Sequence, residues 1–76
     1  MWSGIIIING VKTEVMVYET NDGVFKEWGG RGKIVGDGVL NADMYETEIG
    51  RIIISHIDFI SDEFEFVGSD VPKIKI

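Results

Sequence analysis

Apolar and polar residues alternate with a period of two along most of this chain, and no segment carries a sustained helical period. The pattern predicts strands. The stretch around which they are organised is Gly50 to Phe59, a β-branched run with a glycine before it and an acidic turn after it. Strict alternation places Ile53, Ser55, Ile57 and Phe59 on one face and Ile52, Ile54, His56 and Asp58 on the other. The first face is apolar throughout and the second ends polar. A strand of that kind belongs in the middle of the sheet, with a neighbour on each edge.

Trp2 to Asn9 contains four consecutive isoleucines, too few for a buried helix and rich in β-branching. Asn9-Gly10 follows, the strongest short-range hairpin signal, because a type I′ turn needs positive φ at both positions. Val11, Thr13, Val15 and Val17 then share a face opposite Lys12, Glu14, Met16 and Tyr18. Thr20 to Gly23 predicts a second turn. Val24 to Trp28 begins a third strand, interrupted by Gly29-Gly30 as a bulge or barrel corner and resumed over Arg31 to Val35. Gly36 to Gly38 turns the chain again. Met44 to Ile49 alternates as a strand, with a helical turn over Leu40 to Met44 as the alternative. After the turn at Ser61-Asp62, Glu63 to Val67 alternates charge with Phe64 and Phe66, which assigns both phenylalanines to the core. Pro72 cannot donate to a ladder, so Lys73 to Ile76 reads as an edge strand or a frayed tail.

These elements amount to one all-β domain over residues 1–76, a small antiparallel meander of about six strands that closes into a barrel or a compact sandwich. At 76 residues its core is small, and with no cysteine it has no disulfide or thiolate staple. A homodimer is a further expectation on that ground. No apolar run reaches the length of a membrane span, and Met1-Trp2-Ser3 lacks the basic start of a signal peptide. A soluble cytoplasmic protein with no membrane contact is therefore expected.

Charge sharpens the functional reading. The net value is −6, but residues 1–35 carry four acids and four bases, whereas residues 36–70 carry nine acids against Arg51 alone. No basic stripe suited to a phosphate backbone is present, so direct nucleic-acid binding is not expected. Glu63 and Glu65 share a strand face and form a carboxylate row that imitates phosphate spacing. Glu46, Glu48 and Asp62 add to the acidic surface, and Met16 and Tyr18, with Trp28, suggest a separate candidate, an exposed apolar patch. The expected function is a non-enzymatic interaction module. Its sharpest form is a small acidic inhibitor, of the kind viruses use against host defence, that docks a basic groove on a partner protein.

The alternative is a small-ligand site in the loop Gly29 to Lys33. There Trp28 offers a stacking face, and Arg31 and Lys33 offer charge to a nucleotide or phosphate-type anion. The stretch is not a P-loop, since Ile34 follows Lys33 and no helix comes after it. His56 and Asp58 are spaced for an acid–base pair, but no nucleophile pattern accompanies them, and one histidine without cysteines does not make a zinc site. The acids lack a calcium-loop spacing. Neither catalysis, a metal nor a cofactor is expected.

Overall fold

The computed structural model describes residues 1–21 and 26–76 of the chain. Six strands follow in order: β1 (Trp2–Ile8), β2 (Val11–Asn21), β3 (Lys26–Ile34), β4 (Met44–Thr47), β5 (Gly50–Asp58) and β6 (Glu63–Gly68). All pairings are antiparallel, in one sheet of order β1-β2-β3-β6-β5-β4. The sheet curls into a half-barrel around its apolar face. Among the described residues there is no helix, so the helical alternative at Leu40 to Met44 does not form, and none is long and apolar enough to cross a membrane.

The local chemistry explains the first hairpin. Asn9 and Gly10 hold φ of 47° and 80°, as a type I′ turn demands, and Ile8 pairs with Val11 across it. The register then buries Ile6 and Ile8 of β1 with Val11, Thr13, Val15 and Val17 of β2. Thr13 satisfies its buried hydroxyl by donating from Oγ1 to the Ile6 carbonyl at 3.1 Å. Asp22 and Gly23 of the predicted second turn, and Val24 and Phe25 of the predicted third strand, lie outside the described residues.

The β3 prediction needs correction. Gly29-Gly30 does not interrupt the strand, and no bulge occurs there: pairing with β2 runs unbroken from Asn21↔Lys26 to Thr13↔Ile34. The glycines instead let the sheet bend. Phe66 sits opposite Gly30 and Phe64 opposite Gly32, and each ring covers the position where a Cβ would stand. Phe64 and Phe66 are buried, as expected, with ring centroids 6.2 Å apart.

β5 departs from strict alternation. Ile54 pairs with Phe66 and His56 with Glu65, so Ser55 is an extra residue in a β-bulge. Ile57 is thereby returned to the inner face with Ile52 and Ile54, while Ile53 and Phe59 are exposed. The face assignment read from the sequence is thus inverted before the bulge, where Ile52 and Ile54 rather than Ile53 face the core, and holds after it for Ile57, His56 and Asp58 but not for exposed Phe59. Nor is β5 the middle strand, since β3 and β6 occupy the centre and β5 lies one in from the β4 edge.

Two irregular segments cover the ends of the half-barrel. The loop between β3 and β4 is tied to the hairpin end, where Val35 N and Gly36 N donate to the Lys12 carbonyl, and its Leu40 is fully buried. At the other end residues 69–76 cross beneath the core. Trp28 Nε1 donates to the Asp70 carbonyl and Lys73 N donates to the Ile49 carbonyl at 2.9 Å, while Ile74 and Ile76 pack half-buried against the cluster. This tail is neither an edge strand nor frayed.

Candidate functional site: the outer face of the sheet

With the inner face filled by the core, the outward residues decide what the molecule can contact. The register aligns them into rows that cross the strands. One row reads Ile5, Glu14, Lys33, Glu63, Asp58, and the next reads Ser3, Met16, Arg31, Glu65, His56. A third reads Tyr18, Gly29, Val67, Ile53, Met44. The first two rows are charged and the third is apolar.

The charged rows line a shallow groove of about 490 Å³. Into it project Glu14, Asp58, Glu63 and Glu65, against the two bases Arg31 and Lys33 and the imidazole of His56. Pairing of β3 with β6 thus sets Arg31 opposite Glu65 and Lys33 opposite Glu63. Two candidate sites that are separate in the sequence, a cationic one and an acidic one, are a single surface. Asp58 is held below the usual carboxylate range, chiefly because it accepts backbone hydrogen bonds from Ile60 and Ser61, and to a smaller extent because His56 is near. Ser55 Oγ donates to the Glu65 carbonyl at 3.4 Å, so it is not aligned as a nucleophile on His56.

Trp28 is not brought to this surface. It lies on the inner face and is buried, on the opposite side of β3 from Arg31 and Lys33. It therefore neither stacks beside those cations nor joins Met16 and Tyr18 in an exposed patch. Gly29 to Lys33 is also strand, not loop.

Met16 and Tyr18 do share the outer face, Met16 exposed and Tyr18 half-buried. Their apolar neighbours are Val67, Ile53 and Met44, exposed at 49%, 40% and 55%. Because Gly29 has no side chain, a second hollow of about 280 Å³ opens over its backbone, between Tyr18 and Val67. Sequence reasoning missed this stripe. Val67 was legible, since it alternates in phase with Glu63 and Glu65; Ile53 was hidden by the bulge.

The remaining acids lie apart from the groove. Glu46 on β4 is ion-paired with Arg51 of β5, a contact that raises the Arg51 pKa through its hydrogen bond and charge. Glu48, in the turn between β4 and β5, accepts from Ile7 N at 3.1 Å. Asp62 sits in the turn before β6 with φ of 61°, and its carbonyl accepts from Ile34 N. Among the described residues no group of three or more His, Asp or Glu is arranged to hold a metal ion.

Comparison with protein-family models, with curated proteins and with solved structures gave no match to this chain.

Proposed function

We propose that this protein is a non-enzymatic interaction module that docks a partner with a basic surface on the outer face of its sheet. The observation that carries this reading is the way sequence order maps onto sheet order. Residues 1–35 build β1, β2 and β3, and residues 36–70 build β6, β5 and β4, so the acidic half of the sequence is also one half of the sheet. All nine carboxylates of that half are exposed, and its one base, Arg51, is engaged by Glu46. Such a field steers a basic partner to the surface. The stripe of exposed Val67, Ile53 and Met44 with half-buried Tyr18 beside it supplies the apolar centre that a specific interface needs inside a polar rim. In its sharpest form the module is an inhibitor that occupies a basic groove, a form supported by size and charge.

The alternative, a nucleotide or phosphate-type anion held by Arg31 and Lys33, has less support. An anion in that groove meets four carboxylates against two bases, and Trp28 is on the far side of the strand.

The test is the salt dependence of association with a binder captured by the immobilised protein. The association rate is expected to fall steeply as ionic strength rises to about 0.15 M, where the screening length is about 8 Å. Glu63→Gln with Glu65→Gln is expected to slow association and leave the melting temperature near that of the parent. Neutralisation is the cleaner change, because a lysine at either position would face Lys33 or Arg31 across the strand pair. A rate indifferent to both salt and the double substitution overturns the proposal.

A further inference from the structure

The turn between β5 and β6 is tied down at several points. Asp58 Oδ1 accepts from Ile60 N at 2.9 Å and from Ser61 N at 3.3 Å, and Ser61 Oγ accepts from Glu63 N at 3.4 Å. Asp62 takes the left-handed conformation with φ of 61°, and its carbonyl accepts from Ile34 N, which fastens the turn to the end of β3. None of these bonds depends on the side chain at 59 or 60. Yet those positions hold Phe59 and Ile60, exposed at 68% and 98%. A single exposed apolar side chain is ordinary, but two in succession on a fixed turn make a protruding apolar tip. Its surroundings are acidic. Residues 58–65 carry Asp58, Asp62, Glu63 and Glu65 and no base. Lys33 and Arg31 of β3 stand opposite Glu63 and Glu65, so the excess charge falls on Asp58 and Asp62 at the tip. Asp58 and Glu63 also line the groove of the outer face, and the tip is continuous with it.

Resting on the reading of the outer face as a dock for a basic partner, we propose that Phe59 and Ile60 are its anchor, entering an apolar pocket of that protein rimmed by lysine or arginine. Charge decides the occupant. An anionic lipid surface or a nucleic acid would meet the carboxylates as the tip arrived. A second copy of the chain would bring the same acids with its own tip. A cation-rimmed pocket instead takes up both apolar side chains and sets its rim against Asp58 and Asp62. Because the turn is fixed before contact, little ordering entropy opposes the insertion. Asp58 is then a positioning residue, since its carboxylate holds the turn that presents the anchor.

NMR titration of the full chain with per-amino β-cyclodextrin, an apolar cavity with a rim of ammonium groups, tests the inference. Neutral β-cyclodextrin and phosphatidylcholine–phosphatidylserine vesicles are run beside it. The amino ring is expected to shift the amides of residues 58–63 and, at low salt, to bind about tenfold more tightly than the neutral ring, an advantage that salt removes. Phe59→Ser with Ile60→Ser should weaken that binding by about tenfold or more and melt with the parent, because both side chains are exposed. Val71→Ser, as exposed but on the tail at the opposite end, should bind like the parent. Asp58→Ala should weaken binding, and Asp58→Asn, whose side-chain oxygen can accept the same two bonds, should restore most of it. Against a binder captured by the immobilised protein, the double variant should raise the dissociation rate by about tenfold and leave the salt dependence of association in place. A salt-dependent binder that the double variant releases no faster overturns the anchor and leaves the acidic dock standing. A binder indifferent to salt but lost with the double variant overturns the basic rim and, with it, the reading of the outer face. Equal affinity for the two rings, amino-ring shifts that survive the double variant, or vesicle binding that the double variant abolishes also overturns the inference. Where no binder is captured, the rings decide the question alone.

Discussion

At the scale of single residues, the curl of the sheet depends on which atoms occupy the space above β3. A Cβ at Gly32 would overlap the Phe64 ring, whereas one at Gly30 would overlap the main-chain carbonyl oxygen of Met16 as well as the Phe66 ring. A ring can be removed by mutation, but a backbone carbonyl cannot. Gly32→Ala should therefore be costly alone and much less so in a Phe64→Ala background, with a coupling of about 0.5–3 kcal/mol. Gly30→Ala should remain costly in a Phe66→Ala background. Each phenylalanine truncation alone should cost about 3–5 kcal/mol, a large share of what a domain this small possesses. Denaturant unfolding of the two double-mutant cycles measures this. Additive costs for Gly32 and Phe64 would show that the ring is not what keeps that position a glycine.

At the scale of elements, β5 shows where a sequence stops being readable. The Asn9-Gly10 hairpin, the inward valine row of β2 and the inward Phe64 and Phe66 of β6 follow from turn chemistry and a period of two, which are local. The bulge at Ser55 is not local: it exists because β5 must meet β6 with Ile57 opposite Phe64, and nothing in Ile-Ile-Ser-His-Ile announces it. A single extra residue swaps the faces of everything after it. The merging of the two candidate sites was hidden for a similar reason, because β3 and β6 are neighbours in space but far apart in the chain. Trp28 was misplaced because a loop assumed at Gly29 to Lys33 left its side free to join Arg31 and Lys33, whereas the unbroken strand sets it on the opposite face. The bulge has a direct consequence. Without it Ile53 and Ile57 would share a face and respond alike to substitution. With it, Ile53→Thr should change stability by no more than about 0.5 kcal/mol, as a surface change does. Ile57→Thr, equally β-branched but facing the core, should cost about 1–3 kcal/mol. Thermal melts of the two variants separate the cases, and equal losses would refute the bulge.

At the scale of the whole molecule, a half-barrel leaves its ends open, and closing them falls to segments without regular structure. The tail is the clearer case, since proline at 72 and alternating lysine and isoleucine gave no reason to expect it docked. Lys73 N is tied to the Ile49 carbonyl, Trp28 to the Asp70 carbonyl, and Ile74 and Ile76 lie half-buried against the core. Full burial of such a side chain is worth about 1.5–3 kcal/mol, so two half-buried isoleucines contribute about 1.5–3 kcal/mol together. The main-chain bond adds about 1 kcal/mol. In a chain of this size each kcal/mol moves the melting temperature by about 4–8 °C. Truncation after Pro72 should thus lower it by more than about 10 °C. Replacing Lys73 and Lys75 by alanine should change it little, because both side chains are exposed and the Lys73 amide is retained. A truncated chain that melts within a few degrees of the parent would mean that the tail lies on the core without stabilising it.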